Sequence, residues 1–177
     1  MGFELARVFA EKGAEVSLIT GPTQQIIEHS NVTRYDVKNA AQMYDKTVEC
    51  FENCDIAILS AAVADYTPKS TFNTKLKKKT DNLVVELVPT KDILAELGKR
   101  KKENQILVGF ALETDNELEN AKEKLTRKKL DCIVLNSLND AGAGFNVPTN
   151  KVTILDAKGN IYNSDLKSKY EVALDIS

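Results

Sequence analysis

Asp55-Ile56-Ala57-Ile58-Leu59-Ser60 runs directly into Ala61-Ala62-Val63-Ala64-Asp65, an apolar β-rich run followed by a turn of small residues. A short, unbroken apolar run closed by a turn reads as a strand buried on both faces, as in a parallel sheet. Small residues after such a strand leave room for a ligand at the sheet's carboxyl edge, where open α/β sheets bind. On the amino side, Phe3 to Lys12 repeats Phe3, Ala6, Val8 and Phe9 at helical spacing and stops at Gly13. Glu15 to Thr20 then reads as a strand and Ala40 to Phe51 as a second helix.

The alternation continues on the carboxyl side. Strands are expected at Leu83 to Val88, Ile106 to Ala111 and Cys132 to Asn136, with helices from about Lys91 and from Asn116 to Lys129. Val152 to Leu155 and Asn160 to Tyr162 flank Asp156-Ala157-Lys158-Gly159 as a hairpin, and a last helix is expected near Leu166. The expectation is an α/β, Rossmann-like doubly wound domain over residues 1–177, with a mostly parallel sheet and helices on both faces. Met1 already stands at the first helix, so the reading expects the first strand and its ligand-binding loop to be absent.

The 177 residues are 42% apolar and 28% charged, with a net charge of −2, which suits one buried core and advertises no nucleic-acid or membrane partner. Cys50, Cys54 and Cys132 are too few for a disulfide framework, and with His29 as the single histidine they make a poor zinc signature. No run is long and apolar enough for a membrane span, and no secretory leader stands at the start; a cytoplasmic protein is expected.

A polar, basic insertion at about 66–82 carries Tyr66-Thr67-Pro68-Lys69 and Lys75-Leu76-Lys77-Lys78-Lys79. It reads either as a solvated charge run or as a flap that carries cations to a polyphosphate. Lys124 and Lys128, four apart on one expected helix, share a face and favour the second reading. Thr90 is expected to cap a helix whose first N–H groups suit phosphate oxygens. Asp92 there reads as a dipole partner or cap rather than an acid catalyst. Asp65 divides between a turn role and a ligand contact, and Phe110 between core and a flat wall for a base.

The sequence holds no G-x-x-x-x-G-K-[ST] loop, no G-x-G-x-x-G fingerprint and no G-x-S-x-G elbow, and a lone histidine gives nucleophilic triads little to stand on. The residues alone lead to a nucleotide- or polyphosphate-binding α/β domain with a basic arm.

Ser60-Ala61-Ala62-Val63-Ala64-Asp65-Tyr66, Lys75-Leu76-Lys77-Lys78, Val108-Gly109-Phe110-Ala111-Leu112-Glu113-Thr114, and Asn136 followed by Gly144-Phe145 occur in the order seen in the bacterial phosphopantothenate–cysteine ligase family. The chain resembles that family from Met1 to about Leu155. The resemblance implies a CTP- and Mg²⁺-dependent ligase that joins 4′-phosphopantothenate to cysteine through an acyl-cytidylate in coenzyme A biosynthesis. It implies that Ala61, Asp65, Phe110, Lys124 and Lys128 meet the nucleotide, that the helix start at Asp92, Ile93 and Leu94 cradles phosphates, and that Lys75 acts catalytically from the arm. It further implies a homodimer with exchanged flaps, and a flavin-dependent decarboxylase as a fused or separate partner, with FMN not expected on this chain itself. Lys91 stands where the family commonly has proline, and the family's asparagine-bearing loop would precede Met1. A nicotinamide-dependent oxidoreductase is the alternative, and a non-catalytic binding module the third reading.

Overall fold

The computed structural model describes residues 1–72, 74–75, 77, 82–113, 116–137 and 147–177. Strands β3 (Ile56–Leu59), β6 (Ile106–Glu113) and β7 (Cys132–Ser137) lie parallel side by side. The hairpin β9 (Val152–Asp156) and β10 (Ile161–Asn163) extends this sheet antiparallel beyond β7, giving the order β10-β9-β7-β6-β3. Three small sheets accompany it: parallel β1 (Val16–Thr20) with β2 (Val32–Asp36), and antiparallel β4 (Tyr66–Pro68) with β5 (Leu87–Pro89) and β8 (Thr149–Asn150) with β11 (Lys167–Ser168).

Strand alternation divides the core into two faces. Leu107 and Ala111 of β6, with Ile133 and Leu135 of β7, point to one side. There they pack with Ile93, Leu94 and Leu97 of α3 (Ile93–Arg100) and Ala121 and Leu125 of α4 (Glu117–Arg127). Val108, Val134 and Val152 point the other way, onto Val172 of α5 (Lys169–Ile176), and the adjoining cluster adds Leu5 and Val8 of α1 (Gly2–Glu11). Phe51 brings the end of α2 (Ala40–Phe51) into the α3/α4 side. Among the described residues the fold is therefore mixed α/β, with five helices around a sheet centred on parallel strands.

Two close approaches set this packing. Gly109 sits where an added Cβ would lie 2.8 Å from Leu94 Cδ2 and 2.9 Å from Leu130 Cδ1, so α3 presses directly on β6. A Cβ on Gly98 of α3 would collide with the backbone carbonyl of Lys128, so the end of α4 is held against α3. Gly in a helix interior costs about 1 kcal/mol against Ala, and this contact is its packing reason.

The expected strand at Leu83 to Val88 shrinks to Leu87–Pro89, because β4 offers only three residues to pair with it. The four short strands β2, β4, β8 and β11 are additions to the expected pattern. The last helix starts at Lys169 rather than near Leu166, where Ser168 and Glu171 form a reciprocal capping box.

Candidate functional site

The carboxyl ends of β3 and β6 and the start of α3 meet beside α4. Asp92 is the N-cap of α3: its Oδ1 accepts the Ala95 N–H at 3.0 Å and its backbone carbonyl accepts the Glu96 N–H. Those bonds leave Ile93 and Leu94 as the helix positions whose N–H groups have no acceptor within the helix. The side chains of both residues are buried in the core, so only their backbone can face a ligand.

The second oxygen of Asp92 pairs with Lys128 Nζ at 2.7 Å, and the lysine side chain is only 13% exposed. Burial by itself would raise the Asp92 carboxyl. The Lys128 hydrogen bond, the Ala95 N–H and the charges of Lys128 and Lys124 outweigh it and hold the group below the usual carboxylate range. Lys124 Nζ donates to the Phe110 carbonyl at 3.3 Å, tying α4 to the end of β6. Asp92, Ile93, Leu94, Lys124 and Lys128 thus form one cluster.

Thr90 is not the cap the sequence leads one to expect. Its hydroxyl donates to the Ala64 carbonyl at 2.7 Å and its N–H to the Asp65 carbonyl at 2.8 Å. Ala61 and Asp65 are exposed on the turn after β3, and the Thr90 bonds fasten that turn beside the start of α3.

Two expected members stand apart. The Phe110 side chain packs with Met1, Ile58 and Ile176 on the α1/α5 side, opposite the lysines of α4, so the structure makes it a core residue there. Lys75 is exposed on the arm, with no described contact to α3 or α4. Of the rest of the basic run, Lys77 falls within the described residues, while Leu76, Lys78 and Lys79 lie outside them.

Sequence reasoning missed Asp131, which accepts Lys101 Nζ at 2.6 Å on both oxygens and the Leu107 N–H at 2.7 Å. Its position directly before an apolar strand was the available signal. Cys132, next along, is no thiolate nucleophile at neutral pH: burial, aided by the charges of Asp156 and Asp131, pushes its thiol up to about 11. His29 Nδ1 accepts the Asn31 N–H at 3.1 Å and serves a turn. Among the described residues no three His, Cys, Asp or Glu side chains gather as a metal site would need.

A family profile described as "DNA/pantothenate metabolism flavoprotein C-terminal domain" matches residues 1–177. A protein from an unidentified prokaryote, named "Cysteine/Cysteine sulfinic acid decarboxylase", is 54% identical over 99% of this chain and 49% of its own length. "Coenzyme A biosynthesis bifunctional protein CoaBC" of Bacillus subtilis (strain 168) is 42% identical over 99% of this chain and 43% of its own length. The chain therefore spans about half the length of these relatives. The solved C-terminal domain of a CoaBC protein superposes with a TM-score of 0.81 at 36% identity, covering 98% of this chain and 76% of that one.

These names correct the expected activity. The family is described as a flavoprotein domain and the 54%-identical relative is named a decarboxylase, which displaces the CTP-dependent ligase; neither name supports the nicotinamide-dependent oxidoreductase. The cofactor that the family description implies is a flavin, in place of CTP and Mg²⁺. Two places on the described residues offer a flavin ring no slot. The space beside Gly109 is filled by Leu94 and Leu130, and the open hollow along α4 is lined by Glu119, Asn120, Lys122, Glu123, Thr126 and Arg127 without an aromatic or aliphatic wall. No step is assigned to a flavin on these residues.

Proposed function

Because this chain belongs to the family of the DNA/pantothenate metabolism flavoprotein C-terminal domain, we propose that it works in a protein that decarboxylates a cysteine-derived substrate in coenzyme A chemistry, and that its own part is to hold the substrate's anionic end. The observation that carries the reading is the 54% identity, over 99% of the chain, to a relative named a cysteine and cysteine sulfinic acid decarboxylase. The coenzyme A context rests on the CoaBC relatives.

The cluster suits an anion. The Ile93 and Leu94 N–H groups open the positive end of α3, and Lys124 adds an ammonium group one turn before Lys128. Lys128 is already neutralised by Asp92, so its role is to hold the helix start in place, while Ala61 and Asp65 border the ligand from the β3 turn. Phe110 contributes its backbone, which orients Lys124. Lys75 reaches the anion from the arm.

The wider architecture is Rossmann-like, one domain over 1–177, with the arm at about 66–82 as a flap. Tyr66 (61%), where that arm begins, and Val84 (88%), just after it, are exposed apolar residues. A second copy would cover them, so the protein is a homodimer whose Lys75 serves the neighbouring site. Among the described residues no helix is long and apolar enough to cross a membrane, and we place the protein in the cytoplasm.

The test measures carbon dioxide release from cysteine, cysteine sulfinate and 4′-phosphopantothenoylcysteine by the full natural protein with FMN. Release from one of them, slowed at least tenfold by Lys124→Met, is expected. Pyrophosphate release from CTP with no carbon dioxide from any of the three would overturn the reading.

A further inference from the structure

The arm leaves the sheet after Asp65 and returns at Thr90. Its root is the pair Tyr66 and Pro89, followed outward by Thr67 with Val88 and Pro68 with Leu87. Proline has no N–H, so Pro89 donates nothing to the ladder at the rung where the arm joins the domain. Thr90, the next residue, supplies two donors there instead. Its N–H reaches the Asp65 carbonyl at 2.8 Å and its hydroxyl the Ala64 carbonyl at 2.7 Å.

Those acceptors belong to the turn that ends β3, and Asp92 begins α3 two residues further on. One residue therefore fixes three things together: the turn, the root of the arm and the entry to the helix. Farther out, the arm has the Lys69 N–H on the Glu86 carbonyl at 2.9 Å and an exposed Lys69–Glu86 ion pair. These bonds join the two strands to each other but not to the domain.

We infer that Thr90 is a positioning residue, a clasp whose hydroxyl sets the Ala61–Asp65 turn against the start of α3 and fixes the angle at which the arm leaves. Its effect on ligands rests on the anion-holding role proposed above; the clasp itself does not. Without the hydroxyl, the Ala64 carbonyl turns to water and the root is left with the backbone bond to Asp65 alone.

The experiment compares Thr90→Val, which keeps the shape and removes the donor, with Thr90→Ser, which keeps the donor. Two readouts are taken on the same chain: amide hydrogen exchange of residue 90, and calorimetric titration with inorganic phosphate. A net hydrogen bond contributes about 1 kcal/mol, so in Thr90→Val the residue-90 amide should exchange roughly fivefold faster and phosphate should bind roughly fivefold more weakly. Thr90→Ser should restore both. A purely structural threonine would lower the melting temperature and leave the phosphate affinity of the folded protein unchanged, which counts against the inference. Unchanged exchange in Thr90→Val, or no rescue by serine, overturns it. If the wild-type chain does not bind phosphate, the anion-holding role fails and the exchange comparison still decides the clasp.

Discussion

Asp131 and Glu86 each hold a lysine ammonium at nearly the same distance, Lys101 at 2.6 Å and Lys69 at 2.7 Å. Around Asp131 the lysine is 19% exposed, a backbone N–H from β6 shares the carboxylate, and the strand that follows is buried. Around Glu86 both side chains are more than half exposed, and the strands they join carry exposed apolar residues. The same pair of charges therefore belongs to two different kinds of structure. In the α3/α4 face it is part of a packed body, whereas on the arm water competes for every bond. Local chemistry does not distinguish these cases; only the packing behind it does.

The sharpest way to break that contrast is to cut one apolar side chain from each region. Leu97 is fully buried between α3 and the sheet, and Leu97→Ala should lose roughly 2–5 kcal/mol in urea denaturation. Val84 is 88% exposed, and Val84→Ala should stay within about 0.5 kcal/mol. Equal losses would mean that the arm packs against something in solution. The two ion pairs give a smaller version of the same test. Asp131→Ala strands the Leu107 N–H and Lys101 and should cost about 1–3 kcal/mol, while Glu86→Ala should cost less than about 1 kcal/mol.

The packed half was the legible half. The pattern at Ala40 to Phe51 gives the observed helix residue for residue, and Ile106 and Cys132 open their strands as expected. Those segments repeat apolar residues because they face a core. On the arm, Leu83 to Val88 shows the same β-rich composition, yet only its last two residues enter the short β5, and Val84 points to water. Strand propensity reports fit to a half-buried surface, and no such surface covers that run. At the site, the helical spacing of Lys124 and Lys128 does place both near Asp92, whose role as a cap was also readable. For Phe110 the core reading is the one that holds, while alternation puts it with Val108 on the α1/α5 side, away from the α4 lysines that the resemblance groups it with. The type of Thr90 suits a cap, while its actual acceptors lie 25 and 26 residues earlier in the chain. The activity differs at another level, since the resemblance implies a ligase and the matched names lead to a decarboxylase. The chemical character of the cluster is a separate matter: lysines and helix-start amides suit an anion.

A further small effect lies within the packed half, where Asp92 at the start of α3 meets Lys128 at the end of α4. The Asp92 carboxyl is held below its ordinary value in the folded protein, so folding favours its ionised form. A carboxyl of that kind adds stability above its unfolded pKa, near 3.9, and loses it as pH falls through the lower folded value. Lys128→Met removes the hydrogen bond and the charge that offset burial, so the Asp92 carboxyl should titrate at higher pH, as followed by carbon NMR. The stability difference between the two proteins should be largest near pH 6 and shrink below about pH 4. Half of the Asp92 side chain faces solvent, so that difference should be under about 1 kcal/mol. A difference that persists undiminished at pH 3 would assign the effect of Lys128 to its packed stem, and the contact of α3 with α4 would then be held by the close approach at Gly98 rather than by charge.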